Sequence, residues 1–381
     1  MNPQRILIKK ELVVKTGDKF NGSVVGVLGY DFSNFKVLPT ETMPAIIHSS
    51  IAQEVTSIVY GEDKLTIAGF NIENFWNNTS SSGVAKKNNI AQSIVTKLKT
   101  PDIIGLIEVQ DNNGETDSGI VDASQSYQAL INAIIDKGGP AYAFTDIAPE
   151  NNKDGGAPGG NIRVGYLYNP ARVSLAISPN GNGNATTAVS YSATGLSHNP
   201  GRIDPLNDAF KNSRKPLVAE FVFKGEKVVL INNHFNSKGG DEAPFGAVQP
   251  LPSTLGSEVQ RHQIATVVNG FVKNVLQQNP NANVVLLGDF NDFQFSQTLN
   301  ILKGNELTNK VDDLPENERY SYVYQGNSQT LDHILVDKKL APHATLDIVH
   351  MNADFNVDLG RVSDHDPLLV QLDIAAKRAA D

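Results

Sequence analysis

Residues 283–292 read NVVLLGDFND: an apolar run that passes through Gly288 straight into Asp289, Phe290, Asn291 and Asp292. Such a run reads as a short buried strand, and polar groups at its end lie where a sheet edge can collect them into a site. The same design recurs on both sides of this stretch. Asn71 ends AGFN before IENF, Glu108 follows GLI, His234 closes KVVLINNHF, Asp332 opens the run in TLDHILV, and Asp364 with His365 precedes PLLVQLDI. Further strand candidates are PDIIGLIEV, RVGYLYN and LVAEFVF. Between them lie VAKKNNIAQSIVTKL, with Ile90, Ile94 and Leu98 at helical spacing, SYQALINAIIDKG, ending at Gly138-Gly139, and the long SEVQRHQIATVVNGFVKNVLQQ. Strands alternating with helices predict an α/β domain.

The 381 residues allow one large domain or two unequal ones. With 40% hydrophobic residues the chain can bury a large core, which excludes global disorder. No run approaches the ~18 apolar residues of a membrane span. The charge of −9 (32 basic, 41 acidic side chains) argues against a basic nucleic-acid coat or a membrane-surface binder, but not against an acidic cleft that holds cations. Cysteine is absent, so disulfides, thiolate metal sites and a cysteine nucleophile are excluded together.

Before the main domain, GSVVGVLGY and AIIHSSIAQEVTSIVY read as strands, the second bounded by Pro44 and Gly61. The turn at Gly61-Glu62-Asp63-Lys64 sets a boundary near residue 62: a β-rich segment over 1–62, the main domain over 63–376. MNPQRILIKKELVVKTGDKF alternates apolar and polar residues and predicts no signal peptide in these residues. The Asn/Gly-rich stretches 150–161 and 178–201 read as exposed loops.

Taken singly, each strand-end residue has an ordinary explanation. Asn and Asp form turns through their own backbone, and a lone His is usually a satisfied structural group. Together, four carboxylates, two amides and two imidazoles supply hard oxygen ligands for Mg²⁺, with imidazoles to move protons or stabilise charge at a phosphate.

In order, FNIENF, GLIEVQD, SRKPLVAEF, NNHFNSKGG, GDFND, LDHILV and SDHDPL, with the strands that carry them, span residues 65–373. This series resembles the exonuclease–endonuclease–phosphatase superfamily, and HFNSKGG, EVQRHQ and YSYVYQGNSQTLDHIL are similar to its bacterial extracellular nucleases. The resemblance implies a four-layer α/β sandwich of two packed mixed β-sheets flanked by helices, as in deoxyribonuclease I. It also implies a small β domain, OB-like in some members, to which residues 1–62 could contribute. By the same resemblance Glu108 is the main metal carboxylate beside Asn71, with Asp364 completing or supporting that site. Asp289 and Asn291 position the attacking water. His365 stands beside the scissile phosphate, oriented by Asp332, and His234 is the second imidazole. Arg214, Lys238 and Arg163 are candidates for holding substrate phosphates, with Arg261 a further scattered cation.

Two departures stand out. The deoxyribonuclease branch orients its first imidazole with a glutamate on the strand before SRKP. Here GGNIRVGYLYN carries Arg163 and no nearby acid, so His234 lacks an assigned partner. LDHILV also lacks the cysteine-containing cluster of the inositol phosphatases.

The implied activity is a secreted, monomeric, metal-dependent (Mg²⁺ or Mn²⁺) endonuclease acting on DNA, with RNA as a further substrate, and without membrane contact. The alternatives are a phosphatase or phosphodiesterase of a small or lipid substrate, and a binding module that has lost catalysis. The lipid reading calls for an apolar hairpin, and none is evident in the sequence; the inactive module calls for a lost core residue, and none is lost. DNNGETDSGIVD, 111–122, spaces oxygen side chains like a calcium loop, although Thr116 stands where an EF-hand needs glycine. Structural Ca²⁺ there, or near Asp354 and Asp358, is set against solvated turns as the default. Phe75, Trp76, Tyr320, Tyr322 and Tyr324 adjoin the motifs, and either stack on bases or pack under loops.

Overall fold

The computed structural model describes residues 12–31, 34–239, 241 and 256–380. Most of the alternating N-terminal stretch and the last glycine of NSKGG therefore lie outside the described residues.

Two parallel strand pairs organise the molecule. Leu65–Phe75 pairs with Ile103–Val109, and helix Ser81–Thr96 lies between them in sequence. Glu226–His234 pairs with Asn283–Asp289, and there the helix is Gly256–Gln278. Parallel neighbours need a crossover of this kind, because a tight turn can join only antiparallel strands. The first pair is central to a six-stranded sheet, ordered Ala344–Ile348, Leu368–Leu372, Leu65–Phe75, Ile103–Val109, Arg163–Tyr168, Ala143–Asp146. The second is central to a seven-stranded sheet: Gly201–Arg202, Leu217–Phe223, Glu226–His234, Asn283–Asp289, Asp332–Asp337, Leu307–Asn309, with Val173–Leu175 beside Leu217–Phe223. The remaining pairings in both sheets are antiparallel.

The sheets pack face to face. Leu65, Ile67, Ile103 and Tyr166 of one meet Leu217, Phe221, Leu230, Leu287 and Ile334 of the other. Outside the first sheet, Ile90 and Ile94 with Leu130 and Ile134 of helix Ser124–Asp136 cover Phe70, Ile104 and Leu106. Outside the second, Ile264, Val268 and Val272 with Leu299 and Leu302 of helix Gln297–Lys303 cover Ile231, Val284 and Leu286. With both faces of each sheet covered, the central strands read as unbroken apolar runs. This is the four-layer α/β sandwich that the motif series implied.

Gly105 marks how closely the two sheets approach. A Cβ there would lie 2.2 Å from Leu287 Cδ1 in the facing sheet. Beside it, Asn232 Nδ2 donates to Leu106 O at 3.1 Å and Gly165 O at 3.0 Å, tying the second sheet to the backbone of the first. Gly105→Val is therefore expected to destabilise by about 1–3 kcal/mol through overpacking. Urea unfolding measures it, and an unshifted midpoint would show that the sheets part without cost.

The small β-rich segment is present as well. Gly26–Asp31 and Asn34–Pro39 form a hairpin, and Lys19–Phe20 pairs with Ile46–Ile47. Two expectations are corrected here. Residues 51–60 form no strand. They are instead held by scattered bonds: Thr56 N–H to Lys97 O at 2.9 Å, Thr56 Oγ1 to Asp347 Oδ2 at 2.7 Å, and Gln371 Nε2 to Val59 O at 2.8 Å. The sequence reading found no apolar hairpin, yet this one leaves Val27, Leu28, Tyr30, Phe35, Val37 and Leu38 each more than half exposed. Its apolar side chains fall at consecutive positions, so both faces carry them, and no second layer covers either face among the described residues.

Candidate functional site

Strand register assembles the centre. His234 pairs with Asp289 across the parallel ladder, and Asp289 pairs with Asp332 across the antiparallel one. Three motif residues from three adjacent strands thus form one row at the sheet edge. The other sheet contributes Asn71 and Glu108. Asn71 Nδ2 lies 3.1 Å from Glu108 Oε1 and 3.3 Å from Asp289 Oδ2, bridging the two sheets.

The backbone bends to present these groups. Leu65–Phe75 loses register between Asn71 and Phe75, where Glu73 and Asn74 adopt φ of 51° and 49°. That bulge turns the Asn74 N–H onto Glu108 Oε2 at 2.9 Å. Glu108 has φ 65° and Asn291 φ 52°. L-residues other than Asn, Asp and Gly rarely take this region, so an outlier such as Glu108 points to function. Gly288, one residue before Asp289, has φ 143°, and a Cβ there would meet Asn233 O at 2.1 Å.

Asp332 and His365 form a buried pair, Oδ2 to Nδ1 at 2.7 Å. Ser321, absent from the sequence reading, fixes that carboxylate: its Oγ donates to Asp332 Oδ2 at 2.6 Å and accepts the Asp332 N–H at 3.2 Å. Only proximity in the fold reveals it, since a lone serine eleven residues before an aspartate carries no sequence signal. Tyr322 lies over His365 with ring centroids 4.7 Å apart. Ser363 Oγ donates to Asn71 O at 2.7 Å, holding the His365 loop to the first sheet.

The electrostatics divide the two imidazoles. Burial opposes charge on His365, but Asp332 and Asp289 outweigh it and push the ring well above its usual range. His234 is held well below that range by burial, with Arg214 and His365 adding repulsion. Burial also raises Asp289, to about 7, with Asp332 and Glu108 adding to it and His365 opposing. Neighbouring groups pushed apart in this way can serve as acid and base at one pH.

Two sets of ligand atoms, each within 4.8 Å of one another, are present among the described residues: Glu108, His234, Asp289 and Asp289, Asp332, His365. Glu108 Oε1 and Asp289 Oδ2 each lie 3.7 Å from His234 Nε2, so two hard oxygens face one point, which suits a divalent cation. Among the described residues no acid serves His234 on its other side, where buried Nδ1 has no partner. Half-buried Asp364 raises His365 and belongs to neither set. In the 111–122 loop, Asp111 accepts from Asn113 N–H at 3.0 Å and Asn161 Nδ2 at 2.9 Å, and Asp122 accepts from Ser124 N–H at 3.1 Å.

The predicted cations divide differently. Arg214 is half-buried within electrostatic reach of Glu108 and Asp289, its Nη2 donating to Phe235 O at 2.5 Å. Lys238 Nζ lies 2.8 Å from Asp292 Oδ1 and 4.4 Å from the Phe293 ring centroid. Arg163 is a correction: it is 2% exposed and paired with Asp146 at 3.3 Å, so it cannot reach a substrate phosphate. Arg261 is likewise buried, against Asp292 at 3.1 Å. In both cases the arginine pairs with a carboxylate distant in sequence, Asp146 or Asp292.

The model of the Endonuclease/Exonuclease/phosphatase family matches residues 68–365, and a domain model of unknown function matches residues 1–48. No curated protein matches the chain. Among solved structures, the chain is similar to truncated TDP2 of Caenorhabditis elegans at 15% identity, covering 81% of this chain and 97% of that one, TM-score 0.51. An endonuclease/exonuclease/phosphatase family protein of Bacteroides thetaiotaomicron gives 17% identity, 81% and 94% coverage, and TM-score 0.50. A mannosyl-6-phosphatase of the same organism gives 17% identity, 81% and 99% coverage, and TM-score 0.49. The family match begins in strand Leu65–Phe75 and ends on His365, taking in both carboxylate–imidazole sets: the chain belongs to the endonuclease/exonuclease/phosphatase family, whose members are hydrolases of phosphoesters.

Proposed function

We propose that the protein is a divalent-metal-dependent, sequence-nonspecific endonuclease that hydrolyses phosphodiester bonds of DNA, and of RNA where strands are accessible. The observation that carries this reading is Asp289, buried between two imidazoles of opposite charge preference and bridged through Asn71 to Glu108. Glu108 and Asn71, supported by Asp364 beside His365, would hold Mg²⁺ or Mn²⁺, which would lend Lewis acidity to a phosphate oxygen.

The chain's own groups supply the rest. Asp289, raised by burial, accepts a proton from water that Asn291 helps to orient, while that water attacks phosphorus in line with the leaving oxygen. His365, kept charged by Asp332, stabilises the added negative charge. His234, neutral and facing both carboxylates, offers a hydrogen bond to the same phosphate. Arg214 and Lys238 contact phosphates, which carry no base information, and this supports low sequence specificity. The motif similarity to extracellular nucleases supports a secreted enzyme.

Digestion of supercoiled plasmid in Mg²⁺, Ca²⁺, both, or EDTA tests the proposal. Nicking and linearisation that need Mg²⁺ or Mn²⁺ are expected. A second reading, a phosphodiesterase of lipid or small-molecule substrates, is favoured by the exposed apolar hairpin at 26–39. Plasmid left intact in every metal while phospholipid vesicles or a small diester are cleaved would establish that reading instead.

A further inference from the structure

Immediately after the water-positioning pair, the chain carries two aromatic rings, the first half-buried and the second exposed. Phe293 lies two residues past Asn291, and Phe295 two further on, 73% exposed. The rings stack with centroids 5.3 Å apart and planes 26° from parallel. Lys238 Nζ sits 4.4 Å over the Phe293 ring, adding a cation to the same surface. Phe295 also lines an open groove of about 680 Å³, together with Gln294, Lys303 and Arg319 and the acids Asp312 and Glu316. Lys303 lies 3.7 Å from Asp312, while the Arg319 guanidinium donates to the backbone carbonyls of Leu314 and Asp312. The groove thus keeps an arginine whose charge is not spent on a carboxylate among the described residues.

A large ring left in water gives the fold nothing, since burial is what stabilises an apolar side chain. It does offer a flat face to another ring. Bases stack on such faces whatever their sequence, and cations alongside hold the backbone. We propose that Phe295, backed by Phe293 and Lys238, is a stacking platform for an unpaired base of the substrate strand next to the scissile phosphate. The inference rests on the endonuclease reading and sharpens it, because a base in a duplex has both faces covered by its neighbours. Single-stranded, frayed or gapped nucleic acid is then the preferred substrate class.

The test compares cleavage, in Mg²⁺, of a single-stranded oligonucleotide and of an oligomer with the same sugar-phosphate backbone but tetrahydrofuran residues in place of every nucleoside. The wild-type protein is expected to favour the base-bearing strand by on the order of 10-fold in kcat/KM, mainly through KM. Phe295→Ala should erase that ratio and Phe295→Tyr should preserve it. Circular dichroism spectra would confirm that both variants are folded. Wild-type cleavage of both oligomers at equal rates, or an unchanged ratio in Phe295→Ala, overturns the platform and leaves the endonuclease reading standing. Failure of the wild-type protein to cleave either oligomer, or plasmid, overturns both.

Discussion

Replacing His365 with glutamine lowers phosphodiester cleavage by on the order of 10³-fold, and replacing Asp289 with asparagine does the same, within the range of removing a positioned proton-transfer or charge-stabilising group. Glutamine is the cleaner choice at His365, because it can still donate to Asp332, whose Oδ2 also accepts from Ser321. Alanine would leave a buried carboxylate short of its main partner and cost stability as well as rate. Near-ultraviolet circular dichroism separates the two effects. Folded variants of both residues that keep wild-type rates would end the assignment of this site. Asp332→Asn adds a signature that a packing role would not give. The Asp332 carboxylate favours the charged ring, so its loss lowers the His365 pKa. The alkaline limb of the rate profile then moves to lower pH. The same sign holds for stability. A folded value above 6.5 means that the Asp332–His365 pair stabilises fully below that pH and fades as pH rises through the raised value.

The second large effect is at Glu108. Glu108→Gln is expected to weaken Mg²⁺ or Mn²⁺ binding, measured by titration calorimetry, by more than the 10–100-fold that losing an outer-shell partner costs. Cleavage should fall by ~10²–10⁴, the share of several kcal/mol of charge stabilisation. Glutamine can still accept the Asn74 N–H, so the bulge at Asn71–Phe75 should survive. Unchanged metal affinity in a folded variant would remove Glu108 from the metal site.

Why these positions were visible in the sequence, and others were not, has a physical reason. Covering both faces of each sheet makes strands such as NVVLLG continuously apolar, so the polar residues that flank each run mark the sheet edge. That is why Asn71, Glu108, His234, Asp289, Asp332 and His365 could be picked out and are found together. Arg163 and Arg261 failed as substrate contacts because a positive charge in sequence does not say whether Asp146 or Asp292 waits for it across the fold. Ser321 escaped because it matters only through its distance from Asp332. The exposed hairpin escaped because apolar strands look alike whether or not a layer covers them.

The groups proposed for catalysis are mounted on two different sheets, Asn71 and Glu108 on one, His234, Asp289 and Asp332 on the other. Their spacing is therefore set by the depth of the apolar layer between the sheets, which approach closely at Gly105 and Leu287. Activity becomes a gauge of that layer. Hydrostatic pressure that compresses the interior, or solvent that swells it, should change turnover before it changes secondary structure.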